Sequence, residues 1–425
     1  MQTKAQQIEI MSPVGSFESL SAAIQAGANA VYFGIGELNM RARSSINFTE
    51  NDLGTIAQIC KTNNVKTYLT INTIIYDDEL QKMKQLINLA KENEISAIIA
   101  SDLAVIQYAR EKNVEVHIST QCNITNIEAV RFFSQYADVM VTARELSLKQ
   151  VKQIIREINE QNICGPSGNL VKIEIFAHGA LCMAVSGKCY LSLHHFAYSA
   201  NRGACLQPCR RAYSVYDADN EVNAIVEDKY IMSPKDLCTI GFLDKIVEAG
   251  VSVLKIEGRG RSPEYVKTVT TCYREATTAV LNGTYSETKV KQWTQQLENV
   301  YNRGFWDGYY LGRKLGEWTQ RYGSQAKKVK IYIGKVTNYF SKLKVAEIKV
   351  EANNLNKDDT LLIIGPTSGV IECKANEIRV NLKPTSIAEK GTFCSVVCAD
   401  TIRRNDKVYK LVPACDSDDY ELESK

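Results

Sequence analysis

Histidine is scarce, with four in 425 residues. That leaves little material for histidine-based metal sites or catalytic triads. The chain has no G-x-S-x-G elbow and no H-E-x-x-H helix, so the usual serine-hydrolase and zinc-protease signatures are missing. It has no phosphate loop, and Gly34-Ile-Gly36 lacks the third glycine of a dinucleotide fingerprint. No apolar run approaches the roughly 18–20 residues that span a bilayer. Residues 1–11 are polar and lack the apolar core of a signal peptide. These absences predict a cytoplasmic protein with no membrane partner. One-sided charge is missing too. Lys and Arg number 51 against 48 acids, a net charge of +3, which alone makes no case for nucleic acid.

What is present is ordinary globular composition, with 45% hydrophobic and 23% charged residues, which excludes a disordered or collagenous chain. The length allows two or three domains, or one large barrel with an appendage. The charge is unevenly spread. Residues 327–415 hold 16 basic and 9 acidic residues, and 416–425 adds five acids and one lysine. Residues 1–326 are neutral, with 34 of each sign. The basic excess therefore belongs to one C-terminal segment and hints at a polyanionic partner.

Short β-branched runs at 8–11, 30–34, 66–71, 97–100, 115–119, 138–142, 172–176 and 252–256 read as strands. Helical patterns separate them, among them 17–26, 49–62, 77–92 and 147–157. The strand runs do not alternate, as in a parallel sheet buried on both faces. Eight such units predict an α/β fold of TIM type, a (β/α)8 barrel, and an open doubly wound sheet is the alternative. The step from strand seven to strand eight is far longer than the others. It reads as an insertion, at about 177–250, over the C-terminal mouth of the barrel, where active sites lie. Helices are expected again at 263–282 and 288–301, then a linker or edge at 303–323. From residue 328, short strands at 330–336, 344–350, 360–364, 370–373, 377–381 and 392–397 are separated by Asn, Asp, Gly and Pro turns. The domains are thus 1–326, the barrel with its insertion; 327–415, a small all-β barrel; and 416–425, an acidic tail.

Cysteine is plentiful, at thirteen. Disulfides are rare in the cytoplasm, and five of these residues bunch in the insertion: Cys182, Cys189, Cys205, Cys209 and Cys238. Glycines and alanines surround them, so the chain can wrap closely around an object. An iron–sulfur cluster needs several thiolates converging on one centre. Structural zinc favours C-x2–4-C knuckles, which only Cys205 and Cys209 approach. The plain alternative is that buried cysteines act as small hydrophobes. That reading suits the scattered Cys60, Cys164, Cys272 and Cys415.

The run Glu174-Ile-Phe176-Ala-His178-Gly179-Ala180-Leu181-Cys182, four residues, then Gly187-Lys-Cys189-Tyr-Leu191-Ser192 resembles the signature of the collagenase-like peptidase family. Further stretches of likeness run along the barrel, including 41–48, 117–126, 144–148, 233–238 and 255–261. The family's name misleads: its members resemble one another as iron–sulfur proteins of oxygen-independent hydroxylation. One branch makes hydroxyuridine at the tRNA wobble position and depends on prephenate. A typically longer branch hydroxylates a cytidine of ribosomal RNA, and a typically shorter pair acts in ubiquinone synthesis. Length and the C-terminal β domain make this chain most similar to the tRNA branch. The resemblance implies a [4Fe–4S] cluster on Cys182, Cys189, Cys205 and a fourth cysteine. Sister branches point to Cys238 or, through a C-x3-C pair, to Cys209. Cys238 is the expectation and Cys209 the alternative.

Other candidates follow from position. Lys255, Glu257, Arg259 and Arg261 leave the eighth strand at the mouth, where the arginines could fork onto prephenate carboxylates or RNA phosphate. An ion pair of Lys255 or Arg259 with Glu257 is the structural alternative. Lys255, Glu257 and His178 are the catalytic candidates. Arg41, Arg43, His117, Arg202 and Arg210 join Arg259 and Arg261 as substrate-binding candidates, each with a surface or core role as its alternative. His194 and His195 are weaker. The expected function is a tRNA uridine hydroxylase with tRNA and prephenate as partners. A peptidase using Cys182 and His178, and a cluster-bearing scaffold for another hydroxylase, are the competing readings.

Overall fold

The computed structural model describes residues 8–43, 47–214, 230–312 and 315–414. Strands β1 (Glu9–Pro13), β2 (Ala30–Gly34), β3 (Lys66–Ile71), β4 (Ala97–Ala100), β5 (Val116–Ile118), β6 (Val139–Val141) and β7 (Lys172–Gly179) pair in parallel in chain order. Strand β8 (Asp236–Cys238) runs antiparallel to the end of β7, with His178 opposite Cys238. Strand β9 (Val253–Ile256) pairs in parallel with both β7 and β1 and closes an eight-stranded barrel. The eight expected strands are all present, and the closing pairs decide for the barrel over the open sheet.

Burial on both faces explains the unalternating runs. Met11, Tyr32, Tyr68 and Ile99 belong to one buried cluster, and their chain neighbours Ile10, Val31, Leu69 and Ile98 to a larger one. Successive side chains of a strand point to opposite faces, so one cluster fills the barrel and the other seals the strands to the helices. Those helices are α1 (Phe17–Gln25), α2 (Leu53–Thr62), α3 (Leu80–Glu92), α4 (Leu103–Glu111), α5 (Ile127–Phe133) and α6 (Leu148–Glu160). Their starts follow capping chemistry: Ser16, Asp102, Asn126 and Ser147 each accept a backbone N–H of the first turn. The insertion carries α7 (Leu191–Phe196), and α8 (Leu243–Glu248) precedes β9. Helices α9 (Pro263–Leu281) and α10 (Glu287–Glu298) follow it. Strand β10 (Phe305–Trp306) pairs with β8, so the expected linker at 303–323 supplies an edge to the insertion.

The C-terminal domain comprises β11 (Lys328–Phe340), β12 (Val345–Val350), β13 (Leu355–Asn356), β14 (Thr360–Gly365), β15 (Gly369–Lys374), β16 (Ile378–Val380), β17 (Lys383–Thr385), β18 (Ile387–Ala388), β19 (Phe393–Val397) and β20 (Lys407–Pro413). Eight of these form an antiparallel sheet in the order β15-β14-β20-β11-β12-β19-β16-β17, and β13 pairs with β18. The six expected strands are there. The expected barrel is an antiparallel sheet whose end strands, β15 and β17, do not pair among the described residues. The unexpected β20 sits near the middle, between β14 and β11. Its two lysines disguise it, because they break the apolar alternation of Val408, Tyr409, Leu411 and Val412. The acidic tail and Cys415 lie outside the described residues.

This domain docks on the barrel wall. Ala22 of α1 packs on Leu362, Ile364 and Val370. Gln25 donates to the Ser368 carbonyl at 2.6 Å and accepts the Val370 N–H at 3.1 Å, while Lys267 of α9 reaches the Val370 carbonyl. Gln25→Ala removes two of these bonds. It should lower unfolding stability by about 1–3 kcal/mol, read as a reduced urea midpoint. An unchanged midpoint would mean that apolar packing alone holds the domain.

Candidate active site at the barrel mouth

The C-terminal ends of the strands surround a cavity. Strand β9 and the turn after it contribute Lys255, Glu257 and Arg259. The loop after β2 contributes Arg41, β6 leads into Arg144, and β3 and β5 bring Asn72, Ser119 and Gln121. Tyr32 and Phe176 form the apolar part of the floor.

Charge is dense here. Arg41 donates to Glu257 Oε1 at 2.8 Å. Burial pushes the Glu257 carboxyl up, but the guanidinium groups of Arg41, Arg261 and Arg144 outweigh it and hold the group at about 2. Glu257 is therefore an anion, a ready partner for cations and a poor proton donor. Lys255 pairs with the fully buried Glu174 at 2.8 Å and lies over the Tyr32 ring. Its partner is thus Glu174, and not Glu257 as in the structural alternative. Arg259 is 6% exposed and donates to Thr70 Oγ1. Burial lowers its guanidinium to about 10, so it stays charged at neutral pH. Arg144 donates to the Ala180 carbonyl and stacks on Phe176, and its buried Nε has no partner among the described residues.

The insertion forms the outer wall. Arg210 donates to Ser233 Oγ and to the carbonyls of Pro234 and Leu181, so it ties the two ends of the insertion together. Arg202 forms a forked ion pair with Glu79 and donates to the Ile74 carbonyl. Two glycines permit close approach. Gly203 has φ +76°, and a Cβ there would strike the Asn39 backbone oxygen; Gly187, at φ +78°, lies on Gln121. This folding sets Cys182, Cys189, Cys205 and Cys209 along one cavity wall. The thiols feel one another. Burial, and then the charges the other three would carry, push Cys209 up to about 11. Burial raises Cys189 as well, and the Leu191 N–H opposes it. Four thiols gathered along one wall suit a cationic guest. Among the described residues, no three His, Cys, Asp or Glu side chains converge on a point for a single metal ion. The four thiols border a volume instead, and a donor set of this kind fits a multi-iron guest.

Several expected site residues lie elsewhere. Cys238 is absent from the cavity wall. It sits in β8 beside Tyr273 and receives the Ile240 N–H, and burial raises it to about 11. The fourth cysteine at the cavity is Cys209. His178 is 2% exposed among Tyr265, Tyr273 and Phe305. Burial lowers it to about 3, and it does not line the cavity, so its expected acid/base role is corrected to a core histidine. His117 lies deeper in the barrel against Tyr68 and bonds Glu115. Ser119, two residues on and directly after that strand, reaches the cavity. Arg202 and Arg210 are structural clamps rather than ligands of the cavity. Arg43 stacks on Tyr198 and Arg261 on Tyr301, both outside it. Exposed His194 and His195 lie on α7. Arg144 was the residue missed. Its position directly after a strand, at the catalytic end, was the available signal.

The sequence profile of Peptidase family U32 matches residues 15–320. This chain belongs to that family. A U32 relative named "Collagenase", from Porphyromonas gingivalis, is 58% identical over 95% of this chain and 97% of its own length. "tRNA hydroxylation protein P1" of Bacillus subtilis is 32% identical over 84% of this chain and 83% of its own. "23S rRNA 5-hydroxycytidine C2501 synthase" of Escherichia coli is 31% identical over 75% of this chain and 47% of its own. The U32 match runs from just after β1 through the rest of the barrel and the insertion and stops before β11. No helix among the described residues is long and apolar enough to cross a membrane.

The Glu257 network has a pH signature. A carboxyl depressed from 4.5 to about 2 contributes stability that is fully present above pH 4.5 and is lost as pH falls toward 2. Glu257→Gln should therefore unfold more easily at neutral pH, and its gap from wild type should shrink below pH 4.5. A gap independent of pH in urea titrations would contradict the ion-pair account.

Proposed function

We propose that this chain is an iron–sulfur protein of oxygen-independent tRNA hydroxylation, forming hydroxyuridine at the wobble position with prephenate as cosubstrate or effector. The observation that carries the reading is the common cavity of four insertion thiols and the Lys255, Glu257 and Arg259 side chains. Cys182, Cys189, Cys205 and Cys209 would hold the [4Fe–4S] cluster. Bound there, it supplies redox or Lewis-acid chemistry. The likeness to relatives named for tRNA and rRNA hydroxylation supports an RNA substrate.

The chain's own residues have separable tasks. Arg259 and Arg144, buried cations that bond only neutral groups in the hydrogen bonds described, suit the carboxylates of prephenate. Glu257 keeps Arg41 in place. Lys255, paired to Glu174, holds a positive charge beside the aromatic floor, where a pyrimidine taken out of its stack can lie. Ser119, Gln121 and Asn72 offer hydrogen bonds to a base edge. The basic C-terminal domain adds attraction for the RNA backbone.

The second reading, a peptidase, has one observation in its favour: the relative at 58% identity is named a collagenase. The site gives it little support, because no described histidine lines the cavity.

Purified without oxygen, the protein should be brown, with about four irons and four sulfides per chain. Cys209→Ala should lose most of the iron, and Cys238→Ala should retain it. The reverse pattern would overturn the ligand set, and a colourless protein that cleaves peptides would favour the second reading. In a strain lacking the gene, mass spectrometry of tRNA nucleosides should show loss of wobble hydroxyuridine, restored by wild type and not by Cys189→Ala. Unchanged nucleosides would refute the assignment.

A further inference from the structure

Behind the cysteine wall lies a second cavity. Cys205 lines both cavities, so they are neighbours across one stretch of chain. The second is built differently. Arg43, Arg210, Arg211, Arg303 and Arg321 line it, and among the described residues no acidic one does. Two of the five are occupied: Arg210 with Ser233 Oγ and the backbone of Pro234 and Leu181, and Arg303 with the buried Asp236. Arg43 and Arg211 are exposed and lie over the rings of Tyr198 and Phe196. Arg321 is exposed as well. None of these three has an acidic partner among the described residues.

Five guanidinium groups around one concavity repel one another. A single-sign cleft with protein walls focuses its field on whatever anion enters. Planar guanidinium groups are suited to phosphate through paired N–H donors. The same cavity carries Tyr301, with the Arg303 guanidinium 5.2 Å from its ring, and Tyr322, which is 70% exposed. Arginines interleaved with aromatic rings form the kind of surface along which a single-stranded nucleic acid lies.

We infer that this cavity is a phosphate-binding groove that takes the RNA backbone next to the nucleotide presented to the barrel mouth. The inference rests on the RNA reading above and adds a location to it. A nucleotide turned into the first cavity brings its own phosphates to the rim, and the shared Cys205 wall puts the arginines beside that rim. The groove belongs to the barrel and insertion, not to the basic C-terminal domain. Backbone contacts therefore continue up to the mouth.

The test uses the full chain, purified without oxygen, and a short anticodon stem-loop RNA followed by fluorescence anisotropy between about 50 and 200 mM KCl. Arg211→Ala with Arg321→Ala changes two exposed side chains, and an unchanged thermal midpoint and iron content verify the fold. The double variant should bind roughly tenfold more weakly, with a salt slope shallower by about 1–2. The corresponding double lysine variant should keep the slope. Wild-type affinity and slope in the alanine variant would overturn the inference and leave the RNA reading standing. A wild type that ignores RNA, yet is stabilised by inorganic phosphate in a manner dependent on Arg321, would remove the RNA reading and make the groove a site for a free phosphate.

Discussion

One buried carboxylate organises the barrel mouth. Glu257 bonds Arg41 from the loop after β2 and lies within the field of Arg144, after β6, and Arg261, after β9. Cations on three separate loops thus answer to a single anion. Arg144 passes the order outward, since it also holds the Ala180 carbonyl just before the first insertion cysteine. A buried charge is tolerated when it is paired and hydrogen-bonded. Here the pairing fixes where the insertion begins. The cavity walls, the cysteines and the second groove all depend on that starting point.

The barrel was legible because its code is simple. Strands buried on both faces must be short apolar runs, as at 30–34 and 97–100, and the long step after the seventh strand had to lie over the mouth. Individual side chains were harder to read. His178 and Cys238 look chemical in sequence, yet they face each other across the β7–β8 pair, which buries both beside Tyr273. A three-residue strand that pairs back on β7 leaves too faint a pattern to be seen beforehand. Which of Cys209 and Cys238 shares a wall with the other thiols depends on that pairing, and spacing alone left both open. His117 and Ser119 point to the same side of β5, but one belongs to a deeper layer. Depth within a barrel is a property of register, which depends on all eight strands together.

The two cavities divide the work by chemistry. The first joins thiols, an aromatic floor and cations. The second is strongly basic and edged with tyrosines. Small and reactive species suit the former, and a long anionic chain suits the latter. The family relatives carry names of both kinds, collagenase and RNA hydroxylation. Among the described residues the second groove is lined by arginine without an acid, which complements a nucleic-acid backbone in charge.

The anchoring contacts of Arg210, Arg202 and Gly203 contain no sulfur. Arg210 clasps carbonyl groups, Arg202 grips Glu79, and Gly203 rests on the backbone at Asn39. The insertion is thus tethered to the loops after β2 and β3 as well as to itself, so a substitution in either loop reaches the cysteine wall without touching a cysteine.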